Sequence, residues 1–368
     1  MAAIAFYISG HGFGHASRQI EIINALARRR PDAGILLRTA VPRWLPHRTL
    51  NAAFVLDDRP CDTGIVQIDS LHLDAAATIA QADAFHRTLG ARAEAEAALL
   101  REHGVRFVVA DAPPLGCAAA ARAGIPSVVV SNFTWDWIYE YYAEHLAAAP
   151  ELIPAIQGAY REAAAAWRLP MHGGFATFET IVDMPFVARH GRSGRPRSDV
   201  LASLGIPADR PVVLVSFGGY GVDDLPSAGL DCSDWTVVFT GATPARRDGR
   251  VVTVDERELY AAGWRYEDLV RAVDVVLTKP GYGIISECIA NDTALVYTSR
   301  GRFAEYDVLV REMPRYLRCA YIDNETLLAG RWRLALESAV DAPPPPEQPR
   351  TDGADVIADM IAAKIPSA

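Results

Sequence analysis

The chain has 368 residues, half of them hydrophobic, and a formal net charge of −9 at pH 7. At roughly 150 residues per domain, this length predicts two domains, each with a core of ordinary size. The negative charge argues against nucleic acid as the main partner and against tight adsorption to anionic membranes, because both favour a basic face.

The five cysteines are widely scattered and form no CxxC pair. This pattern predicts buried thiols in a reducing compartment, with neither a disulfide framework nor a metal site. The N-terminus has no basic region and runs directly into a glycine-rich turn, so we predict a first strand and no signal peptide. Because no apolar run reaches the length of a membrane span, we expect a soluble, cytoplasmic protein. Its oligomeric state stays open.

The first half of the chain alternates short apolar strands with helices. The predicted strands cover residues 4–9, 34–39, 106–110 and 127–131, and the predicted helices cover 18–29, about 75–102, and 115–123. Strand and helix in alternation indicate right-handed βαβ units and therefore a parallel sheet.

The second half repeats this plan. Its predicted strands cover residues 211–217, 236–240, 251–254, 273–277 and 295–298, and a helix is predicted from residue 284. We interpret the polar stretch 190–209 as a linker. The sequence thus predicts an α/β fold with two doubly wound, Rossmann-like domains, residues 1–189 and 210–342, followed by a Pro-rich connector and a last helix in 343–368.

Doubly wound sheets bind ligands at the carboxyl ends of their strands, and two glycine-rich turns lie there. The first turn contains Gly10, His11, Gly12, Phe13, Gly14 and His15. Its glycines permit a tight turn, and the helix that follows offers free N–H groups, although the spacing is not that of the GxGxxG fingerprint. Two histidines in such a turn favour a functional role for at least one of them. Helix capping or simple exposure is the alternative.

Asp111 ends an apolar strand at the same sheet edge as the first turn. A carboxylate there could accept the N–H of a histidine, fix its tautomer and stabilise the imidazolium that forms when the ring takes a proton. The alternative is an N-cap for the helix near residue 115.

The second turn runs from Lys279 through Gly281, Tyr282 and Gly283 into a helix. The N-terminus of that helix predicts a diphosphate site, to which Lys279 would add a positive charge. Glu287, one turn further on, could accept two hydrogen bonds from a ribose, or it could be a solvated helix residue. Gly218 and Gly219 follow a neighbouring predicted strand and offer a second backbone cradle.

Two other stretches carry polar or aromatic side chains near a strand end. Residues 302–307, which include Glu305 and Asp307, could bind sugar hydroxyls or form a solvated loop. The aromatic run 132–142 suits stacking on a sugar or an acceptor, and equally suits packing between domains.

Together these motifs resemble the B-fold nucleotide-sugar glycosyltransferases, and more narrowly the glycosyltransferase-like N-terminal region of plant L-arabinokinases. The shared motifs are residues 10–16, 131–136, 217–219 and 279–283 with Ser286 and Glu287, in that order along nearly the whole chain. The lipid-II-forming N-acetylglucosaminyltransferase and the UDP-dependent small-molecule glycosyltransferases are more distant members of the same fold group.

The resemblance implies a metal-independent, inverting transferase with no tightly bound cofactor, which moves a sugar from a UDP-linked nucleotide-sugar to a small-molecule acceptor. It makes His15 the candidate base, Asp111 its orienting carboxylate, and residues 11–14 the acceptor-side loop. The implied donor-binding residues are Gly218, Gly219, Lys279, Gly281, Tyr282, Gly283, Glu287, Glu305 and Asp307.

The sequence departs from the family pattern at several points. Ile284 stands where relatives usually have Ser or Thr, the Asp-Gln pair typical of sugar recognition is absent, and the chain has no glycine- and serine-rich ATP loop of an arabinokinase. The resemblance therefore identifies neither the donor sugar nor a kinase activity. A non-catalytic nucleotide-sugar-binding module and a sugar-nucleotide epimerase on the same fold are the alternatives.

Overall fold

The computed structural model describes residues 3–218, 222, 225–241 and 246–365, with backbone alone at 241 and 246–248. The chain forms two parallel-sheet units in tandem, and helices cover the faces of each sheet. The two-domain, doubly wound architecture predicted from the alternating pattern is confirmed.

The first sheet has seven parallel strands in the order β3-β2-β1-β4-β5-β6-β7. The strands are β1 (Ala3–Ile8), β2 (Gly34–Arg38), β3 (Phe54–Asp57), β4 (Val105–Asp111), β5 (Ser127–Phe133), β6 (Ala165–Gly173) and β7 (Ile181–Asp183). The helices are α1 (Phe13–Arg29), α2 (Trp44–Thr49), α3 (Ala75–His86), α4 (Leu89–Glu102), α5 (Pro114–Ala123), α6 (Trp135–Glu140), α7 (Ala143–Leu146) and α8 (Leu152–Arg161).

The second sheet has the order β10-β11-β9-β8-β12-β13-β14, and only the pairing of β10 with β11 is antiparallel. The strands are β8 (Val212–Val215), β9 (Thr236–Gly241), β10 (Arg246–Asp248), β11 (Val251–Asp255), β12 (Val275–Thr278), β13 (Ala294–Tyr297) and β14 (Cys319–Tyr321). The helices that follow β7 in the chain are α9 (Arg197–Ser203), α10 (Glu256–Ala261), α11 (Tyr266–Ala272), α12 (Tyr282–Asn291), α13 (Ala304–Glu312), α14 (Asn324–Leu328), α15 (Arg333–Asp341) and α16 (Gly353–Ala362).

The central strands form because both faces of each sheet are covered, so an unbroken apolar run is favoured over an alternating one. All six residues of β1 are buried, as are all four of β12. All nine predicted strands exist within a few residues of their predicted bounds. The strands that prediction missed, β3, β6, β7, β10 and β14, are mostly edge strands or contain polar residues, and so lack a long apolar run.

Register places the candidate residues at one edge. In the β1–β4 pairing, Ile8 lies opposite Asp111, so the first glycine-rich turn emerges beside that carboxylate. Helix α1 begins at Phe13, five residues earlier than predicted, because Gly12 adopts a positive φ of 74° and ends the turn there. His15 is therefore in the first turn of the helix, and α12 likewise begins at Tyr282, directly after the second glycine-rich turn.

The stretch 190–209, interpreted as a linker, contains α9. Val200 and Leu201 of this helix are buried, and Arg192 pairs with Asp268 of α11. Arg197 likewise pairs with Asp274, so two arginines of the stretch are held by carboxylates of the second domain, which composition alone does not show. At the other end of the chain, α16 returns and packs on α1, where Arg29 is paired with acidic residues of α16.

Candidate active site in the interdomain cleft

The two glycine-rich turns face each other across the cleft between the sheets. A Cβ added at Gly283 would lie 3.3 Å from the Cα of Gly14, so the turns touch through backbone where only glycine fits closely. Neither α1 nor α12 has an acidic residue in its first turn or a side-chain cap. Two helix N-termini with open N–H groups thus meet at one place, and such ends favour anions.

Most of the predicted site residues line this cleft. They are His11, Gly12, Phe13, Gly14, His15, Gly218, Lys279, Gly281, Tyr282, Gly283, Glu287 and Glu305. Asp111 lies directly behind His15. Asp307, in contrast, is exposed on α13 and is not among the residues that line the cleft, because its helix turns that position to solvent. Gly219 lies outside the described residues.

His15 and Asp111 form the contact that the sequence predicted. The Nδ1 atom of His15 is 2.9 Å from Oδ1 of Asp111, and Asp111 is fully buried. The competing role of Asp111 as a helix cap is not what the structure shows, since Pro113 is the N-cap of α5. The backbone between Asp111 and Pro113 is unusual, because Ala112 has a φ of 72°. The carbonyl of Ala112 accepts a hydrogen bond from Tyr160 at 2.6 Å.

Arg18 completes this group, and the sequence analysis missed it. Its Nε donates to Oδ2 of Asp111 at 2.6 Å, and one terminal nitrogen contacts Oδ1. Gln19 donates to Oδ2 as well, at 3.0 Å. Burial disfavours the charge of Asp111, but Arg18 and His15 hold the pKa of its carboxyl below the usual range. Asp111 is therefore an ionised, fully paired carboxylate.

The tautomer of His15 follows from this geometry. Arg18 also lies 2.9 Å from Nδ1 of His15, and a guanidinium can only donate. If Nδ1 accepted from Arg18, its lone pair would oppose that of the Asp111 oxygen at 2.9 Å. The Arg18 nitrogen has Asp111 and Ser131 as other acceptors, so the favoured form carries the proton on Nδ1 of His15, donates it to Asp111 and leaves the lone pair on Nε2.

The same network crosses to the second domain. Arg18 donates to the amide oxygen of Asn132 at 2.6 Å, and the amide nitrogen of Asn132 donates to Glu305 at 2.8 Å. Arg300 donates to the other Glu305 oxygen at 3.4 Å, and the guanidinium of Arg18 lies 5.1 Å from the centre of the Tyr282 ring. Glu305 thus ties the histidine group to the second domain through Asn132.

Glu287 is also placed differently from a solvated helix residue. Arg189 donates to its Oε1 at 2.7 Å, while Oε2 is buried and has no hydrogen-bond partner among the described residues. Burial raises the pKa of Glu287 to about 7, although Arg189 acts in the opposite direction. Arg189 comes from the segment after β7 and was not predicted. The unpaired Oε2 is available to accept a hydroxyl.

The cations of the cleft cluster at the second turn. Burial lowers the pKa of Lys279 to about 7, and the nearby Arg300 lowers it further, while Asp69 and Glu305 oppose the shift. Arg300 stacks over Phe303 with 3.8 Å between its guanidinium carbon and the ring centre, and its buried Nε has no hydrogen-bond partner within the part of the chain that the structure describes. Arg300 follows β13, and its place after a strand end was the only sequence feature that pointed to it.

The aromatic run resolves in favour of packing. Trp135, Tyr139 and Tyr142 are fully buried, and the indole N–H of Trp135 donates to Asp62 at 2.8 Å. Only Asn132 and Phe133, at the start of the run, line the cleft. The run therefore supports the wall behind the site and offers no stacking surface within it.

The described residues offer neither a metal-ion site nor a membrane-spanning helix. No group of three or more His, Cys, Asp or Glu side chains in these ranges is placed to hold a metal ion. Among the same residues, no helix combines the length and apolar character that crossing a bilayer requires. All five cysteines are free; four are buried, as predicted, and Cys319 is partly exposed.

In sequence, the chain is 31% identical to the L-arabinokinase of Arabidopsis thaliana over 350 residues, which is 92% of this chain and 32% of that protein. It therefore spans about a third of the length of that relative. Over 274 residues, 67% of this chain and 72% of the other, it is 27% identical to an uncharacterised glycosyltransferase of Methanopyrus kandleri. No protein-family model matches the chain.

In structure, the chain is similar to the calicheamicin glycosyltransferase CalG4, with a TM-score of 0.62 and 18% identity over 99% of this chain and 98% of that one. A second neighbour is a Phytolacca americana glycosyltransferase solved with UDP-2-fluoro-glucose and pterostilbene, with a TM-score of 0.57 and 14% identity over 99% and 94% of the two chains. The resemblance drawn from the sequence is confirmed, and the chain has the B fold of the nucleotide-sugar glycosyltransferases.

Proposed function

We propose that this protein is an inverting glycosyltransferase that moves a sugar from a UDP-sugar to a small-molecule acceptor. The observation that carries the proposal is the meeting of two uncapped helix N-termini beside His15 and Asp111. A structural neighbour has been solved with a UDP-sugar analogue, which supports the choice of nucleotide. The kinase activity in the name of the L-arabinokinase is not transferred, because the match covers 32% of that protein.

The donor would lie mainly on the second domain. The diphosphate would accept N–H groups from the first turn of α12, with Lys279 and Arg300 as counter-charges, and Gly218 adding backbone from β8. Glu287 would accept ribose hydroxyls through its unpaired Oε2. Glu305, tied to Asn132 and Arg300, would contact the transferred sugar.

The acceptor would lie on the first domain, against residues 12–15 of the first glycine-rich turn. As its hydroxyl oxygen attacks the sugar C1 from the face opposite the diphosphate, Nε2 of His15 takes the hydroxyl proton. The bond between C1 and the diphosphate oxygen breaks, and its electron pair leaves with UDP. Asp111 keeps the ring in the required tautomer. These steps need neither a metal nor a bound cofactor, so we expect turnover to survive EDTA.

Replacing His15 tests the proposal. We expect His15→Ala to lower the rate of UDP release from a UDP-sugar by about 10² to 10⁴, because a positioned base contributes that much. Affinity for UDP should stay within about threefold, since the donor lies on the other domain. His72→Ala is the matched control, because His72 is exposed and lies outside the cleft. Full turnover in His15→Ala would remove this residue from the role.

One observation favours a second candidate, a nucleotide-sugar-binding module without transfer. Arg18 compensates the charge of Asp111, so the carboxylate stabilises an imidazolium less than an unpaired one would. A binding module would saturate with UDP-sugar in calorimetry and release no UDP with any acceptor tried. UDP release that depends on an acceptor would exclude it, and an altered sugar without an acceptor would point to an epimerase.

A further inference from the structure

His11 lies in the same turn as His15 but is held the opposite way. The backbone N–H of Ile65 donates to Nδ1 of His11 at 3.4 Å. A backbone N–H can only donate, so Nδ1 must carry a lone pair. In the neutral ring the proton is then on Nε2. Toward the protein interior, His11 therefore presents the lone pair of its Nδ1, whereas His15 presents an N–H.

The ring of His11 is fixed in this orientation from several sides. Gly64 has a φ of 62°, and a Cβ added there would lie 2.9 Å from the Cβ of His11 and 3.0 Å from its Nδ1. Tyr139 donates to the carbonyl of Gly64 at 3.0 Å and so holds this backbone in place. Phe303 stacks on the imidazole at 6.3 Å between ring centres, and Trp135 meets it edge-on at 6.0 Å.

The surroundings keep this ring neutral. Burial lowers the pKa of His11 well below its usual value, and Arg300, His15 and Lys279 act in the same direction. A protonated His11 would add a further positive charge to a place that already holds two cations. A neutral ring adds a hydrogen-bond donor without that charge.

The Nε2 atom of His11 has no hydrogen-bond partner among the described residues, and this atom is accessible from the surrounding cavities. His11 lines both the cleft and a second cavity above the first sheet, which is bordered by Arg38, Arg59 and Arg92. On the cleft side, its neighbours Lys279 and Arg300 are the cations expected around the diphosphate.

We propose that neutral His11 donates its Nε2–H to an oxygen of the leaving diphosphate, and that the Gly64–Ile65 backbone exists to hold it in that tautomer. This proposal rests on the proposed function. His11 transfers no proton: its hydrogen bond strengthens as the diphosphate oxygen gains the electron pair of the breaking bond. The turn then serves both ends of the reaction, with His15 on the acceptor and His11 on the leaving group.

The tautomer is tested first on the unmodified protein. With ¹⁵N-labelled histidine, long-range ¹H–¹⁵N spectra distinguish the two ring tautomers, and a His11→Gln sample identifies the His11 signals among those of nine histidines. We expect His11 to be protonated on Nε2 and to titrate well below the ordinary range of a histidine, because burial lowers its pKa. We expect His15 protonated on Nδ1. A proton on Nδ1 of His11, or titration near its ordinary pKa, would overturn the proposal.

A matched pair of variants tests the role. His11→Gln places an amide N–H near the position of Nε2, whereas His11→Asn places its amide near Nδ1 and has no donor further out. We expect His11→Asn to lose about 10- to 10³-fold in kcat, with little change in KM for the donor, and His11→Gln to retain more activity. Equal losses in the two variants would overturn the proposal.

The pair also separates this proposal from the proposed function. If no UDP-sugar yields UDP, the proposed function fails, yet the affinities still decide the role of His11. His11→Asn should then bind UDP and inorganic pyrophosphate several-fold more weakly than His11→Gln does, while both bind uridine equally. Equal affinities for pyrophosphate would contradict the contact. Gly64→Ala should reproduce the Asn effect, because its Cβ displaces the ring.

Discussion

The two glycine-rich turns look alike in sequence but are built for different work. Behind the first turn, the charges are satisfied within the protein: Asp111 is paired with Arg18, His15 and Gln19. Beside the second turn, Oε2 of the Glu287 carboxylate is buried and has no hydrogen-bond partner among the described residues. A paired group keeps its geometry before any ligand arrives, whereas an unpaired buried group gains stability when a ligand supplies the partner.

The difference separates a positioning device from a binding surface. The first turn carries groups whose orientation matters for the proposed reaction, and the buried ion pair of Asp111 with Arg18 fixes that orientation. The second turn carries groups whose pKa values are shifted toward neutrality, namely Glu287 and Lys279 at about 7. The following experiments test whether the first turn positions side chains and the second turn binds the ligand.

The largest effect should come from Asp111→Asn. Removing one member of a buried ion pair leaves Arg18 uncompensated, and we expect the free energy of unfolding to fall by about 3–5 kcal/mol. Urea denaturation measures this change. Asp307→Asn is the control, because Asp307 is exposed and should stay within about 0.5 kcal/mol of the parent.

If Asp111→Asn fails to fold, a double variant keeps the test open. Replacing Arg18 by Met and Asp111 by Leu together removes both charges, and we expect a smaller loss than for Asp111→Asn alone. A single-variant loss under about 1 kcal/mol would show that the first turn does not depend on this pair.

A smaller effect is expected for Glu287→Gln, measured as UDP affinity by calorimetry. Hydrogen bonds to a charged acceptor contribute about 1.5–3 kcal/mol, so affinity should fall roughly 10- to 100-fold. Pyrophosphate affinity should hardly change, because Glu287 is assigned to the ribose. Glu258→Gln, at an exposed position of α10, serves as the control. Equal weakening of UDP and pyrophosphate would place Glu287 elsewhere.

The smallest effect is a pH dependence from Lys279. Its folded pKa is lowered from 10.5 to about 7, so it loses charge as the pH rises through about 7. UDP affinity should then fall about three- to tenfold between about pH 6 and about pH 9. In Lys279→Arg the positive charge persists over this pH range, so the dependence of UDP affinity on pH should vanish. A wild-type affinity that does not change with pH would show that Lys279 is not near the diphosphate.

The same group should affect stability in the opposite direction. Without ligand, the unfolded chain binds the Lys279 proton more tightly than the folded one between about pH 7 and 10.5. Its contribution to the free energy of unfolding therefore rises with pH across that window. Glu287, with a folded pKa raised from 4.5 to about 7, should lower stability as the pH rises between those values.

Much of the site could be predicted because parallel strands deliver their loops to one edge. The positions of the site residues at strand ends placed His15 near Asp111 and Lys279 near Glu287. The resemblance to the B fold implied that the two pairs face each other across a cleft. Arg18 could not be found this way. It lies three residues after His15, in a helix that was predicted to begin at Arg18 itself, where an arginine is usually solvated.

The sequence by itself determined nine of the fourteen described strands, the two sheets and the two glycine-rich turns, because apolar periodicity and glycine act locally. The tertiary structure alone decided which charges are paired. Arg18 reaches Asp111 across 93 residues of chain, and Arg189 reaches Glu287 across 98. Side chains so far apart in the chain meet only when the elements that carry them pack together, as α1 does beside β4 within the first domain. That packing makes His15 a candidate base and His11 a candidate donor.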